Sequence, residues 1–110
     1  MSQQASPMQR YWFGKRNLEH ADAWFEFYKT VTKKGVLDAK TKELIAVAAG
    51  VLSRCEHCVE AHANAAFKAG ASKEEVAEAV MVAAQTASGS HLFWSPVYEK
   101  LLGDDGDGGQ

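Results

Sequence analysis

The chain has 110 residues, of which 46% are hydrophobic and 24% are charged, and its formal net charge is -2. A chain of this length is expected to form one domain with a core of its own. Twelve basic and fourteen acidic residues occur without a basic run, so we expect neither nucleic acid nor a membrane surface as a partner. The polar N-terminus lacks the apolar segment of a secretory signal, and we therefore expect a cytoplasmic protein.

The first predicted helix follows a polar N-terminal arm. Residues 1–16 show no clear helical period, and we predict that they form this arm. Asn17 is a good N-cap, and apolar residues then recur every three or four positions as far as about Lys33. Gly35 is the predicted stop of this helix, which has one apolar side available for packing.

Two further helices are predicted on either side of a short break. Asp38 can cap a helix over residues 39–52, which carries Glu43 beside its apolar side. The third helix begins within the motif that contains both cysteines, and it ends at Ala69. Gly70 suits the left-handed conformation that often closes a helix.

The last two predicted helices have clear starts. Ser72 and Glu75 form a capping box, and the fourth helix is predicted to end near Gly89. Ser95 can cap a fifth helix whose first residue is the following proline, and this helix runs to about Leu102.

These patterns predict an all-α fold of about five helices, since no segment alternates with the period of a strand. We divide the chain into the arm 1–16, one helical domain over 17–102 and a disordered tail over 103–110, which is rich in Gly and Asp. Many alanines on the predicted helix faces and three tryptophans favour apolar surface for subunit contacts. We therefore also expect a homo-oligomer.

Both cysteines and two of the four histidines lie within residues 55–62. On a helix, Cys55, Cys58 and His62 share one face. The sulfurs belong to the first turn, where free backbone amides stabilise a thiolate, so we predict a depressed pKa for Cys58. His62 lies one turn beyond Cys58 and can take its proton, whereas His57 lies off this face.

Such a group of side chains supports a redox cycle of two thiols. One thiolate attacks an electrophile such as a peroxide oxygen and becomes a sulfenic acid, and the neighbouring thiol then condenses with it to a disulfide. A base must first remove the thiol proton, and a carboxylate commonly orients the imidazole that does so. Glu43 can fill that role if the second and third predicted helices pack as a hairpin.

The sequence also resembles a known family. Glu43 followed by Cys-x-His-Cys-x-x-x-His at residues 55–62 is similar to the alkylhydroperoxidase AhpD core of the carboxymuconolactone decarboxylase-like superfamily. The segment 69–76 is similar to the one that this family carries after its motif helix. The likeness covers about residues 18–90, and the whole constellation is far more specific than two cysteines spaced C-x-x-C.

The resemblance implies an AhpD-like helical unit with a thiol-dependent peroxidase activity that protects against hydroperoxides. By that resemblance Cys58 is the peroxidatic nucleophile and Cys55 is its resolving partner. Glu43, His57 and His62 would form the proton relay that activates Cys58.

The resemblance also implies the reactants and the assembly. It implies no bound cofactor, a hydroperoxide substrate and an external thiol reductant, which is a lipoylated protein in the best-known members; a thioredoxin-like protein is an alternative donor. It implies assembly into trimers or hexamers. The chain looks like one copy of the helical unit, whereas the longer members carry about two.

Three alternatives stay open at this point. The cluster could bind zinc through Cys55, Cys58, His62 and Glu43, because thiolates, imidazoles and carboxylates are the usual zinc ligands. It could also sense redox state without turnover. Another activity of the decarboxylase-like family is the third possibility, although the decarboxylase branch lacks the cysteine pair.

Overall fold

The computed structural model describes residues 5–103, which form six α-helices after a short 3-10 turn at Pro7–Arg10. The helices are α1 (Trp12–Arg16), α2 (Leu18–Thr32), α3 (Ala39–Leu52), α4 (Glu56–Lys68), α5 (Lys73–Leu92) and α6 (Ser95–Leu102). The prediction of an all-α fold is confirmed, and residues 5–103 contain no strand. The predicted disordered tail lies outside the described residues, except for Gly103.

The N-terminal segment contains a helix that the sequence pattern did not predict. The 3-10 turn and α1 fold back on each other, and a Cβ at Gly14 would lie 1.7 Å from the carbonyl oxygen of Met8. Met8 is buried, and the Ser6 hydroxyl donates a hydrogen bond to Asp22 of α2. The described part of the predicted arm is therefore packed against α2, and the helix containing the cysteine motif is the fourth rather than the third.

Helix α2 lies beside the start of α3 and has a row of aromatic side chains. Asn17 occupies its N-cap position, as predicted, but its side chain makes no capping hydrogen bond. The C-terminal end of α2 is tied to α3 by Lys42, whose ammonium donates at 2.8 Å to the carbonyl oxygens of Val31 and Lys33. This link fixes the end of α2 next to α3.

Helices α3, α4 and α5 form the core that positions the cysteine motif. Asp38 caps α3 by accepting a hydrogen bond from the Thr41 amide at 2.7 Å, and the predicted capping box begins α5. The apolar side chains buried on these three helices are Val47, Ala66 and Ala83. Two of the three are alanines, which allow the helix backbones to approach closely, so α3 and α4 pack as a hairpin.

The end of α5 differs from the prediction. The helix continues through Gly89 to Leu92, because a single helical glycine costs only about 1 kcal/mol. The hydroxyls of Ser88 and Ser90 also donate to backbone carbonyl oxygens within the helix at 2.7 Å. Helix α6 then begins at Ser95 itself, so this serine is not the N-cap that the sequence predicted.

Helix α6 packs little against the other helices, and several of its apolar side chains are exposed. Within residues 5–103, no helix is both long enough and apolar enough to span a lipid bilayer.

Candidate functional site

The two cysteines lie at the N-terminal end of α4 and are joined by a disulfide bond. Cys55 is the N-cap residue, and its sulfur accepts a hydrogen bond from the backbone amide of Cys58 at 3.1 Å. A sulfur thus occupies the place that a serine or aspartate oxygen usually takes at a helix start. The amide donor and the positive end of the helix dipole both stabilise negative charge on this sulfur.

The turn that leads into the motif is held by the backbone. Arg54 has a φ of 57°, the left-handed conformation, which a non-glycine residue adopts at a cost of about 1–2 kcal/mol. The Cys55 amide then donates to the carbonyl oxygen of Gly50 at 2.9 Å. This short turn reverses the chain and places the start of α4 against the end of α3.

Glu43 and His62 are brought together across the α3–α4 hairpin. Glu43 Oε1 lies 2.6 Å from His62 Nδ1, and only 7% of Glu43 is exposed. A buried carboxylate without a partner would be strongly destabilising, so the imidazole is both its hydrogen-bond partner and its counter-ion when protonated. With Nδ1 committed to the carboxylate, Nε2 is the nitrogen of His62 that is left to exchange a proton.

The remaining predicted site residue, His57, lies elsewhere. It is in the first turn of α4 but is exposed, and within residues 5–103 its ring makes no hydrogen bond to the Glu43–His62 pair. The structure therefore joins Cys55 to Cys58 and Glu43 to His62 on the α3–α4 hairpin, and it leaves His57 exposed.

Gly50 is a site residue that the sequence reasoning missed. A Cβ at this position would lie 3.2 Å from Cys58 Cβ, Val59 Cγ2 and the Val59 amide nitrogen. The glycine thus allows α4 to approach α3 at the cysteine motif. A glycine inside a predicted helix lowers the helix propensity. It therefore indicates that a neighbouring backbone packs closely at that position.

Tyr28 of α2 is a second residue that the sequence did not indicate. The centroid of its ring lies 6.1 Å from that of His62, with the two planes inclined by 45°. Burial, followed by the negative charge of Glu43, raises the pKa of the Tyr28 phenol above its ordinary value. No spacing rule links a residue of α2 to a histidine of α4, so this contact depends on the tertiary packing.

The geometry of the described residues also bears on the alternative that the cysteine–histidine cluster binds a metal ion. Among the described residues, no three histidine, cysteine, aspartate or glutamate side chains are grouped so as to hold a metal ion. The two sulfurs are bonded to each other, and the imidazole of His62 is engaged by Glu43.

The fold and the site together define a helical protein with a C-x-x-C disulfide at a helix start and, on the same helix hairpin, a buried carboxylate hydrogen-bonded to an imidazole. The chain belongs to the carboxymuconolactone decarboxylase family, whose sequence profile matches residues 19–94.

Two curated relatives illustrate the range of similarity. Protein 4 of the cox locus of Paracoccus denitrificans is 41% identical over 69 residues, which are 63% of this chain and 62% of that protein. The alkyl hydroperoxide reductase AhpD of Corynebacterium aurimucosum is 32% identical over 72 residues, which are 66% of this chain and 39% of that protein. The matches thus span less than two thirds of the length of either relative.

Two solved structures share the fold over most of their length. A protein of Methanobacterium thermoautotrophicum superposes with a TM-score of 0.73 at 35% identity, over 78% of this chain and 97% of that one. A protein of Thermotoga maritima superposes with a TM-score of 0.60 at 28% identity, over 82% of this chain and 87% of that one.

Proposed function

We propose that this protein is a thiol-dependent peroxidase that reduces hydroperoxides through a dithiol/disulfide cycle of Cys55 and Cys58. The observation that carries the proposal is that the cysteine pair and the Glu43–His62 pair both belong to the α3–α4 hairpin. A C-x-x-C pair at the start of α4 is followed, one helical turn after Cys58, by His62, which is bound to the buried Glu43 at 2.6 Å. The similarity to an alkyl hydroperoxide reductase AhpD supports the same proposed function.

In this proposal the Glu43–His62 pair removes the proton from Cys58. Positions 58 and 62 are four residues apart on α4, so their Cβ atoms are about 6 Å apart and a proton can pass directly or through one water. Glu43 orients the ring and stabilises the imidazolium that forms, as the carboxylate does in a catalytic triad. His57, on the exposed side, would pass protons to solvent.

The first step is the attack of the Cys58 thiolate on the terminal oxygen of a hydroperoxide. A sulfur–oxygen bond forms while the oxygen–oxygen bond breaks, and the electron pair leaves with the alkoxide. The protonated His62 returns its proton to that alkoxide, which becomes an alcohol. Cys58 is then a sulfenic acid, so sulfur is oxidised and the peroxide is reduced.

The second step forms the disulfide. The Cys55 thiolate attacks the sulfur of the Cys58 sulfenic acid, a sulfur–sulfur bond forms, and hydroxide leaves and is protonated to water. The backbone amide of Cys58, 3.1 Å from the Cys55 sulfur, favours the thiolate form of Cys55 that this attack requires.

The cycle closes when an external donor reduces the disulfide. Two donor thiols supply two electrons and two protons and are themselves joined in a disulfide, so no bound cofactor is needed. We propose a lipoylated or thioredoxin-like protein as the donor. A reducing compartment such as the cytoplasm would maintain the supply of such thiols.

We further propose that the working form is a homo-oligomer, a trimer or a hexamer. Seventeen large apolar side chains of the described residues are exposed, whereas Val47 is the largest side chain that is fully buried. Exposed apolar surface of this extent is typical of subunit interfaces rather than of monomers. Contacts between copies would bury part of it.

The proposal is tested by hydroperoxide consumption with a dithiol reductant, measured for the wild type, Cys58→Ser and Cys55→Ser. We expect turnover in the wild type and none in Cys58→Ser. Without reductant, reduced Cys55→Ser should react once with peroxide and accumulate a sulfenic acid on Cys58, which a dimedone probe traps. Equal activity of Cys58→Ser and the wild type would overturn the proposal.

A metal assay of the purified protein tests the alternative role of the same cluster. Stoichiometric zinc together with thiols that do not react with peroxide would favour a metal site at Cys55, Cys58, His62 and Glu43. Reactive thiols in metal-free protein are the result that the peroxidase proposal predicts.

A further inference from the structure

An open apolar groove is lined by α2 and α3 and by the relay histidine of α4. Its volume is about 730 Å³, and its lining includes Phe27 and Val31 of α2, Ile45 of α3, and both Tyr28 and His62. The Glu43–His62 pair therefore lies next to a space that solvent can enter.

The Tyr28 ring is the aromatic surface against which His62 lies. The ring centroids are 6.1 Å apart and the planes are tilted by 45°. Tyr28 is itself stacked against two aromatic neighbours of its own helix, Trp24 at 5.6 Å and Phe25 at 6.3 Å. Both neighbours precede Tyr28 by about one helical turn, and contacts with them restrict the rotation of its ring.

The phenol of Tyr28 also lies within the electrostatic reach of the relay carboxylate. The negative charge of Glu43 contributes, after burial, to raising the pKa of Tyr28 above its ordinary value, so the phenol is neutral at physiological pH. A neutral ring beside the carboxylate adds no competing charge to the Glu43–His62 pair. Tyr28 and His62 line the same groove, so the phenol ring takes up part of the space beside the imidazole.

We propose that Tyr28 is a positioning residue for His62: its ring holds the imidazole with Nδ1 on Glu43 and keeps groove water away from the pair. This inference rests on the proposed relay to Cys58. The contribution comes from the ring and not from the hydroxyl, since a tilted ring–ring pairing with His62 is the contact that the structure defines. Removing the ring should weaken proton removal from Cys58 although neither cysteine is touched.

The test measures alkylation of Cys58 by iodoacetamide at pH 7 in a Cys55→Ser background, which requires no peroxide. We expect Tyr28→Leu to slow the reaction about tenfold, because a displaced catalytic group loses one to two orders of magnitude in rate. Tyr28→Phe, which keeps the ring, should react within about twofold of the parent. Phe27→Leu is the matched control, an equivalent truncation in the same groove away from His62, and it should leave the rate unchanged.

A double-mutant cycle separates positioning from general disturbance of the fold. In a His62→Ala background, Tyr28→Leu should have no further effect, because the residue through which it acts is gone. A tenfold effect that persists in that background, or Tyr28→Leu reacting as fast as the parent, would overturn the inference.

Two further outcomes distinguish this inference from the proposals on which it rests. If His62→Ala alone leaves the alkylation rate unchanged, the relay itself is refuted, and the role of Tyr28 with it. If the Tyr28 and His62 effects are coupled but wild-type protein consumes no hydroperoxide, the peroxidase proposal fails and the positioning role of Tyr28 stands.

Discussion

Gly50 controls how closely the cysteine motif approaches α3. Its missing side chain leaves room for Cys58 and Val59, and its carbonyl oxygen accepts the Cys55 amide at 2.9 Å. Both contacts act on the residues that carry the disulfide. Adding one methyl group at position 50 should therefore affect the geometry of the site as well as the stability of the fold.

We expect Gly50→Ala to lower the free energy of unfolding by about 1 kcal/mol. Alanine raises helix propensity by up to about 1 kcal/mol, but crowding a tightly packed contact typically costs about 1–3 kcal/mol. The three atoms that the new Cβ would meet, all at 3.2 Å, include a backbone nitrogen that cannot move alone. Urea denaturation at fixed protein concentration measures the change.

Gly89→Ala is the matched control for this prediction. Gly89 also lies inside a helix, but a Cβ there would have no neighbour within 4 Å. This substitution should stabilise the protein by about 0.5–1 kcal/mol. A similar stabilisation by Gly50→Ala would show that the contact between α3 and the motif is looser than described.

At the scale of single residues, the sequence could anticipate the chemistry but not all of its surroundings. The spacing of Cys55, Cys58 and His62 on one helix face follows from helix geometry, and Glu43 was indicated by the resemblance together with an assumed hairpin. Tyr28 could not be found in this way, because its contact with His62 joins α2 to α4 through packing that no local pattern specifies.

At the scale of helices, the sequence predicted the N-termini that have strong capping residues. It did not predict the short helix α1 or the C-terminal end of α5. The Asp38 cap and the Ser72 capping box occur where the sequence placed them. Helix α1 was missed because five residues are too few to show a period, and its formation depends on the backbone contact of Gly14 with Met8. The end of α5 was misplaced at Gly89 because a single glycine does not terminate a helix that other residues favour.

The Asp38 cap should make the stability of α3 depend on pH. The hydrogen bond from the Thr41 amide is the main cause that lowers the pKa of Asp38 below its ordinary value. A carboxyl group with a lower pKa in the folded state stabilises the fold fully above its unfolded pKa, about 3.9, and loses this effect as pH falls through the folded pKa. Asp38→Ala should therefore lower the free energy of unfolding at pH 7 more than at about pH 2.5.

Asp38→Ser provides the control for this measurement, because serine caps a helix but does not titrate. Its stability difference from Asp38→Ala should be nearly independent of pH in urea denaturation. An equal loss in Asp38→Ala at both pH values would mean that the ionised carboxylate does not stabilise α3.

At the scale of the whole molecule, the chain has more apolar surface than its own core uses. The fully buried apolar residues are few and small, and α6 carries Leu101 and Leu102 at 74% and 78% exposure. One core of three helices cannot cover this surface.

We expect sedimentation at micromolar concentration to give a mass that is a multiple of the 12.0 kDa chain. Leu101→Glu should weaken the association, because it places a charge on the exposed apolar side of α6. Lys100→Glu introduces the same side chain at a polar neighbouring position and should leave the mass unchanged. A monomeric wild type would contradict the proposed oligomer.

The central claim is that a hydroperoxide oxidises the Cys55–Cys58 pair with the help of Glu43 and His62. The most direct measurement mixes fully reduced protein with one equivalent of an organic hydroperoxide and no reductant, and follows thiol loss and alcohol formation. We predict that one alcohol forms for every two thiols lost, with a disulfide linking Cys55 and Cys58, and that His62→Ala and Glu43→Gln slow the reaction about 100-fold. Thiols that remain free, or variants that react as fast as the wild type, would contradict the account.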